Sequence, residues 1–161
     1  MASPSTHHGA RLVQRRHIPE MAEYAEISKA LAAQSLDDTA RFFAGNKGAT
    51  QEECDTFAAR LLGLPVRPTF VQGMASYTVV ATGGGVVQFR SADNPLDLRK
   101  VSLAEETYGR FVPKHELCGG LNGLAAYRMD FVDGVSAFLA MNSFRAAGDR
   151  LLRVALKDFV R

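Results

Sequence analysis

The chain has 161 residues, of which 47% are hydrophobic and 22% charged, and its formal net charge is +2. This length is enough for one domain with a buried core, and the composition is that of an ordinary globular protein. So small a charge gives no sign of a nucleic-acid-binding surface or a polybasic membrane patch, and no apolar run is long enough to cross a bilayer. We therefore expect neither nucleic acid nor membrane as a partner.

The N-terminal 17 residues are polar, basic and aperiodic, which predicts a disordered tail before a single domain over residues 18–161. The tail has no apolar segment typical of a secretory signal. Cys54 and Cys118 lie far apart, which favours two reduced thiols and a cytoplasmic protein. Only His115 lies near Cys118, so we expect no zinc site and no other cofactor.

Three helices are predicted before the first strand. A periodic apolar pattern indicates a helix over residues 19–34, and Ser35 is placed to cap a second helix that ends at Gly45. The sequence Thr-Gln-Glu-Glu from Thr50 is a capping box for a third helix, which Gly63 ends.

The strongest strand signal lies in residues 66–90, which are rich in β-branched and aromatic residues. Residues 72–76, Gln-Gly-Met-Ala-Ser, interrupt the first run, and residues 83–85, Gly-Gly-Gly, separate it from the second. This pattern predicts a strand, a small loop, a second strand, a hairpin turn and a third strand.

Apolar residues spaced by three and four predict a helix over residues 97–111. On a helical wheel Glu105 lies near the edge of the apolar stripe and Glu106 on the far side. We therefore expect Glu105 to face inward and Glu106 to be solvated.

The glycine-rich residues 119–123 predict a turn, followed by a strand over residues 124–132 with Tyr127, Met129 and Phe131 on one face. Helices are predicted from residue 135 and over residues 150–161. The order of elements predicts an α+β fold, a mostly antiparallel sheet with one helix packed on it and helices at both ends. The last helix has an apolar stripe that nothing after it covers, which predicts a homodimer through this helix.

Five stretches of the sequence resemble one protein family. They are CDTFAARLLGLPVRP, VQGMASYTV, VVQFRS, LAEETYGRFVP and YRMDFVDGVS, and they span roughly residues 50–150 in the family's order. The set is similar to the N-terminal lobe of the aminoglycoside phosphotransferase and choline kinase-like family, most of all to its fungal members. The resemblance implies a protein-kinase-like N-lobe.

The resemblance also implies roles for single residues. The loop from Gly73 to Ser76 would cover a phosphate, and Arg90 would stand at the position of the phosphate-binding lysine. Glu105 would pair with that cation, with Glu106 as the adjacent candidate. The segment from Met129 to Phe131 would be the hinge. The predicted ligand-binding residues are Gly73, Ser76, Tyr77, Gln88, Arg90, Glu105, Met129 and Phe131, and the candidate catalytic residues are Arg90, Glu105 and Tyr127.

Phosphoryl transfer needs a carboxylate base and ligands for magnesium. In the family these come from a C-terminal lobe through a His-x-Asp loop, and no His-x-Asp occurs in this sequence. We therefore expect a truncated phosphotransferase-like protein that binds a small molecule in fungal secondary metabolism without kinase activity.

Two alternatives stay open at this point. One is a metal-free biosynthetic enzyme of the cyclase or isomerase type, and the other is the N-lobe half of a split small-molecule kinase. His115 follows a Pro-Lys turn and is predicted to be a surface histidine rather than a general base. The polar residues available to such an enzyme are Tyr77, Gln88, Arg90, Glu105, His115 and Tyr127.

Overall fold

The computed structural model describes residues 21–133 and 150–159, and in them five strands form one antiparallel sheet. The strands lie in the order β1-β2-β3-β5-β4. The predicted tail over residues 1–17 and the helix predicted from residue 135 lie outside the described residues. The strands are β1 (Val66–Pro68), β2 (Ser76–Ala81), β3 (Val86–Ser91), β4 (His115–Leu121) and β5 (Leu124–Met129); the helices are α1 (Met21–Gly45), α2 (Gln51–Leu62), α3 (Leu98–Tyr108) and α4 (Arg150–Phe159), and a 3-10 turn, Gly109–Phe111, follows α3.

These elements confirm the α+β class and the antiparallel sheet. The three strands predicted in residues 66–90 are consecutive neighbours, as expected. Within the described part of the chain, no helix has both the length and the apolarity that crossing a bilayer requires.

The first helix is longer than predicted. One continuous helix replaces the two that were expected on either side of Ser35. The segment contains no glycine or proline before Gly45, so nothing in it breaks a helix. Ser35 lies inside α1 and therefore caps no helix. Its hydroxyl instead accepts a hydrogen bond from the amide of Gln72 at 3.0 Å.

The start of α2 agrees with the prediction. The hydroxyl of Thr50 accepts from the amide of Glu53, and the Glu53 carboxylate accepts in return from the amide of Thr50 at 2.8 Å. Gly63 ends the helix with a φ of 68°, in the left-handed region. The capping box therefore fixes where α2 begins, and the glycine fixes where it ends.

Two hairpins build the sheet. Gly83, Gly84 and Gly85 all have positive φ between β2 and β3, which confirms the predicted turn. The prediction of a turn over residues 119–123 was too long, because β4 extends to Leu121 and only two residues, Asn122 with φ 48° and Gly123 with φ 87°, turn the chain. Asn-Gly is the pair that tight hairpins favour, since both of its residues tolerate positive φ.

The core lies on one face of the sheet. Phe42 of α1 and Cys54 and Ala58 of α2 pack there, so two helices cover this face rather than the single one expected. No residue of α3 is buried. The buried strand residues of this face are Tyr77, Val79, Ala81, Val87, Phe89, Leu124 and Ala126.

Candidate functional site

The opposite face of the sheet brings four predicted site residues together. Ser76 lies beside Arg90 in the register of β2 and β3, and Gln88 lies beside Tyr127 in the register of β3 and β5. Because side chains alternate along a strand, all four point to the face that the core does not use. These two cross-strand pairs thus form one polar row.

Arg90 has different partners from those predicted. Its Nε donates to the carbonyl of Asn94 at 3.0 Å, and its Nη1 donates to Oε1 of Gln88 at 3.5 Å. The ion pairs of the described residues do not include one between Arg90 and Glu105. Arg90 lies opposite Ala125, whereas the end of β5 lies opposite Val86, four residues or roughly 13 Å along the strand.

Tyr127 holds the loop that leads into α3. Its side chain is 3% exposed, and its hydroxyl accepts a hydrogen bond from the amide of Leu96 at 3.1 Å. The hydroxyl of this candidate catalytic residue therefore has a structural partner. Arg90, Glu105 and Tyr127 form no mutual hydrogen bond or ion pair in the described residues.

The loop at Gly73 is fastened at its base by Gln72. The Gln72 side-chain amide donates to the carbonyl of Thr78 at 2.6 Å and accepts from the amide of Thr78 at 2.8 Å. It thus occupies the gap that opens where β1 ends. Since the main chain of Gln72 is also bonded to Ser35, this loop is held against α1 and β2. Gly73 itself accepts from the amide of Ser76 at 3.2 Å.

Tyr77, which the sequence analysis placed among the ligand-binding residues, lies in the core instead. It is fully buried, and its hydroxyl donates to Oδ1 of Asp55 at 2.7 Å. Burial and the Asp55 carboxylate raise the pKa of Tyr77, and burial also raises the pKa of Asp55 against the lowering effect of this hydrogen bond. Burial likewise raises the pKa of the neighbouring Cys54 thiol to about 12, so this cysteine stays protonated.

Glu105 and Phe131 meet at a cavity of about 560 Å³ between the end of α3 and the ends of β4 and β5. Glu105 is half-buried and Glu106 exposed, as predicted. No hydrogen bond or ion pair in the described residues involves the Glu105 carboxylate. Phe131 is 51% exposed. The rest of the lining is Gly109, Arg110, Val112, Pro113, Lys114, Asp130 and Val132.

Lys114 and Asp130 each line two cavities, and the sequence analysis did not single them out. The amide of Lys114 donates to Oδ2 of Asp130 at 3.3 Å, and the amide of Asp130 donates to the carbonyl of Lys114 at 3.2 Å. Both also line a smaller cavity of about 270 Å³ beside His115. The sequence contains one sign of these two residues: each is a charged residue next to the end of a strand.

His115 was predicted to be a surface histidine, and the structure places it at the start of β4. It is half-buried, lies opposite Met129 in the register of β4 and β5, and its Nδ1 is buried without a hydrogen-bond partner among the described residues. Met129 is also half-buried. The two side chains therefore lie on the same face as the polar row, at the end nearer the larger cavity.

Within residues 21–133 and 150–159, no three His, Cys, Asp or Glu side chains are grouped closely enough to hold a metal ion. No family model matches the chain, and comparisons with curated proteins and with solved structures found no similar protein. The site is therefore argued from its own geometry.

Proposed function

We propose that the chain is a protein-kinase-like N-lobe that binds a small molecule in the cavity between α3 and the β4–β5 hairpin. The cavity carries this proposal, because its volume of about 560 Å³ falls in the range of sites for small organic ligands. The five-stranded antiparallel sheet, with a helix inserted between its third and fourth strands, supports the N-lobe part of the proposal.

The lining of the cavity supports a ligand with both an apolar body and a charged group. Phe131, Val112 and Pro113 offer an aromatic ring and aliphatic surface. The Glu105 carboxylate is half-buried and has no partner among residues 21–133 and 150–159, so a donor on the ligand would satisfy it without first breaking a contact in that part of the protein.

We propose further that this chain does not transfer phosphoryl groups by itself and acts in small-molecule metabolism without kinase activity. Arg90, which the resemblance puts at the position of a phosphate-binding cation, is already hydrogen-bonded to Asn94 and forms no ion pair with Glu105 among the described residues. The loop at Gly73 is held by Gln72 and Ser35. We place this role in the cytoplasm, where the free thiols of Cys54 and Cys118 would stay reduced.

Thermal shift screening of the full chain against a small-molecule library, with ATP and magnesium as one arm, tests the proposal. A compound that raises the melting temperature of the wild type should lose most of its effect with Glu105→Gln and Phe131→Ala. Glu106→Gln is the matched control, since it makes the same change on the exposed side of α3. Equal loss with Glu106→Gln, or hits that depend on Arg90 instead, would refute the site.

We also propose a homodimer through the C-terminal helix α4. Leu156 of this helix is 55% exposed, and an exposed apolar side chain on the predicted interface helix would lose its contact with water in a dimer. Sedimentation should show a dimer at high micromolar concentration, and Leu156→Glu should shift it to monomer. Leu36→Glu, at another exposed leucine, should leave the dimer intact. A wild-type monomer at that concentration contradicts the proposal.

A further inference from the structure

His115 has a ring nitrogen that is buried and has no hydrogen bond. This atom, Nδ1, is the only buried side-chain nitrogen or oxygen without a partner among residues 21–133 and 150–159. The other ring nitrogen, Nε2, forms no hydrogen bond in this part of the chain either, but it is not closed to solvent, so water can serve as its partner. A buried polar atom without a partner is unfavourable, and native proteins leave few of them. Nδ1 therefore needs a partner that the described residues do not supply.

The side chain of His115 lines a cavity at the open end of the β4–β5 hairpin. Its volume of about 270 Å³ is several times the roughly 30 Å³ that one water molecule takes in the liquid, so a small organic molecule fits. Met129, which lies opposite His115 in the register of the two strands, provides an apolar part of the wall. The rest of the lining consists of four charged residues, Lys114, Glu116, Arg128 and Asp130.

These four charged side chains favour a neutral ligand over an ion. Two of them are cations and two are anions, so an ionic ligand meets both attraction and repulsion in the cavity. The ion pairs of the described residues include none of the four. Their donors and acceptors are therefore available to hydroxyl groups, because a hydroxyl donates to a carboxylate and accepts from an ammonium or guanidinium group. A metal ion fits less well, since the described ranges group no three His, Cys, Asp or Glu side chains that could hold one.

We propose that this cavity is a binding site for a small neutral polyol and that His115 binds one of its hydroxyl groups through Nδ1. A hydroxyl suits this atom in either tautomer of the ring, since it donates to a bare nitrogen and accepts from an N–H group. Rotation about the Cβ–Cγ bond brings Nδ1 from one edge of the ring to the other, and this torsion is broad in histidine. Because neither ring nitrogen holds a hydrogen bond within the described residues, the rotation breaks none there.

Nuclear magnetic resonance of the full chain with ¹⁵N-labelled histidine tests this site at fixed pH. Glycerol, xylitol and glucose are each titrated, and diglyme, a small polyether without a hydroxyl group, is the control compound. At least one of the three polyols should move the Nδ1 resonance of His115 in a saturable way, whereas diglyme should not. No saturable movement with any of the three polyols, or the same movement with diglyme, would overturn the proposal.

The matched pair of variants is His115→Phe and Met129→Leu, which change two facing side chains of the same cavity. His115→Phe removes the ring nitrogens and should weaken binding of the effective polyol about tenfold, as followed by the amide resonances of residues 114–116 and 128–130. Met129→Leu conserves the volume of an apolar side chain and should bind the polyol as the wild type does. Unchanged binding in His115→Phe, or equal weakening in both variants, would overturn the proposal. The wild-type titration stays decisive if His115→Phe does not fold.

Discussion

Replacement of Gln72 by alanine tests the role of a single buried side chain in the sheet. Gln72 is 6% exposed. Its side-chain amide bonds both the N–H and the carbonyl of Thr78, as the main chain of a neighbouring strand would. Gln72→Ala leaves the amide of Thr78 without its acceptor. The carbonyl of Thr78 keeps the amide of Thr69 as a donor at 3.0 Å.

The expected cost follows from this asymmetry. One buried amide left without a partner costs about 1–3 kcal/mol, and the carbonyl bond contributes about 1 kcal/mol more. Water entering the space left by the side chain recovers part of this. We expect the free energy of unfolding to fall by about 2 kcal/mol, which lowers the melting temperature by roughly 4–8 °C.

Urea unfolding of the wild type and the variant measures this loss. Gln88→Ala is the control, because the donor bond from Gln88 to Thr78 is long, at 3.4 Å, and its side chain is only half-buried. Hydrogen exchange should show faster exchange at the amide of Thr78 in Gln72→Ala. A loss no larger than that of Gln88→Ala, with unchanged exchange at Thr78, would refute the reasoning.

Three further substitutions test other parts of the fold. Thr50→Ala removes the cap of α2 and should lower the free energy of unfolding, measured in urea at pH 7, by about 1 kcal/mol. The hydrogen bonds from Thr50 lower the pKa of Glu53 below its usual 4.5. The stability that Glu53 contributes is therefore present above pH 4.5 and should be lost as the pH falls through the folded-state pKa. Tyr77→Phe deprives Asp55 of its donor, so nuclear magnetic resonance titration should show a still higher pKa for Asp55, and the loss of stability should be larger at pH 7 than at a pH where Asp55 is protonated. Gly120→Ala places a Cβ 2.7 Å from the carbonyl oxygen of Leu124 and should cost about 2 kcal/mol, whereas Gly73→Ala, which meets nothing within 4 Å, should cost less than half as much.

The elements that were predictable are those whose signals are local. The capping box at Thr50 and the three glycines at residues 83–85 act on their own neighbours in the chain, and the structure confirms both. The helical wheel of α3 likewise predicted that Glu105 faces inward and Glu106 outward, and the structure agrees. This prediction needs only the 3.6-residue repeat of the helix, which does not depend on what the helix packs against.

The features that were missed depend on contacts between distant parts of the chain. Ser35 has the residue type of a cap, and only its contact with Gln72, 37 residues away, shows its use. The absence of a pair between Arg90 and Glu105 follows from the path of α3, which no spacing in the sequence fixes. Lys114 and Asp130 become neighbours because β4 and β5 pair at their far ends.

The central claim is that a small molecule binds between α3 and the β4–β5 hairpin. Chemical-shift mapping of ¹⁵N-labelled protein, titrated with a compound from the thermal shift screen, tests it most directly. The account predicts that the largest saturable shifts fall on residues 109–114 and 130–132, around Glu105 and Phe131. Shifts confined to Gly73, Ser76 and Arg90, with the cavity residues unmoved, would contradict it.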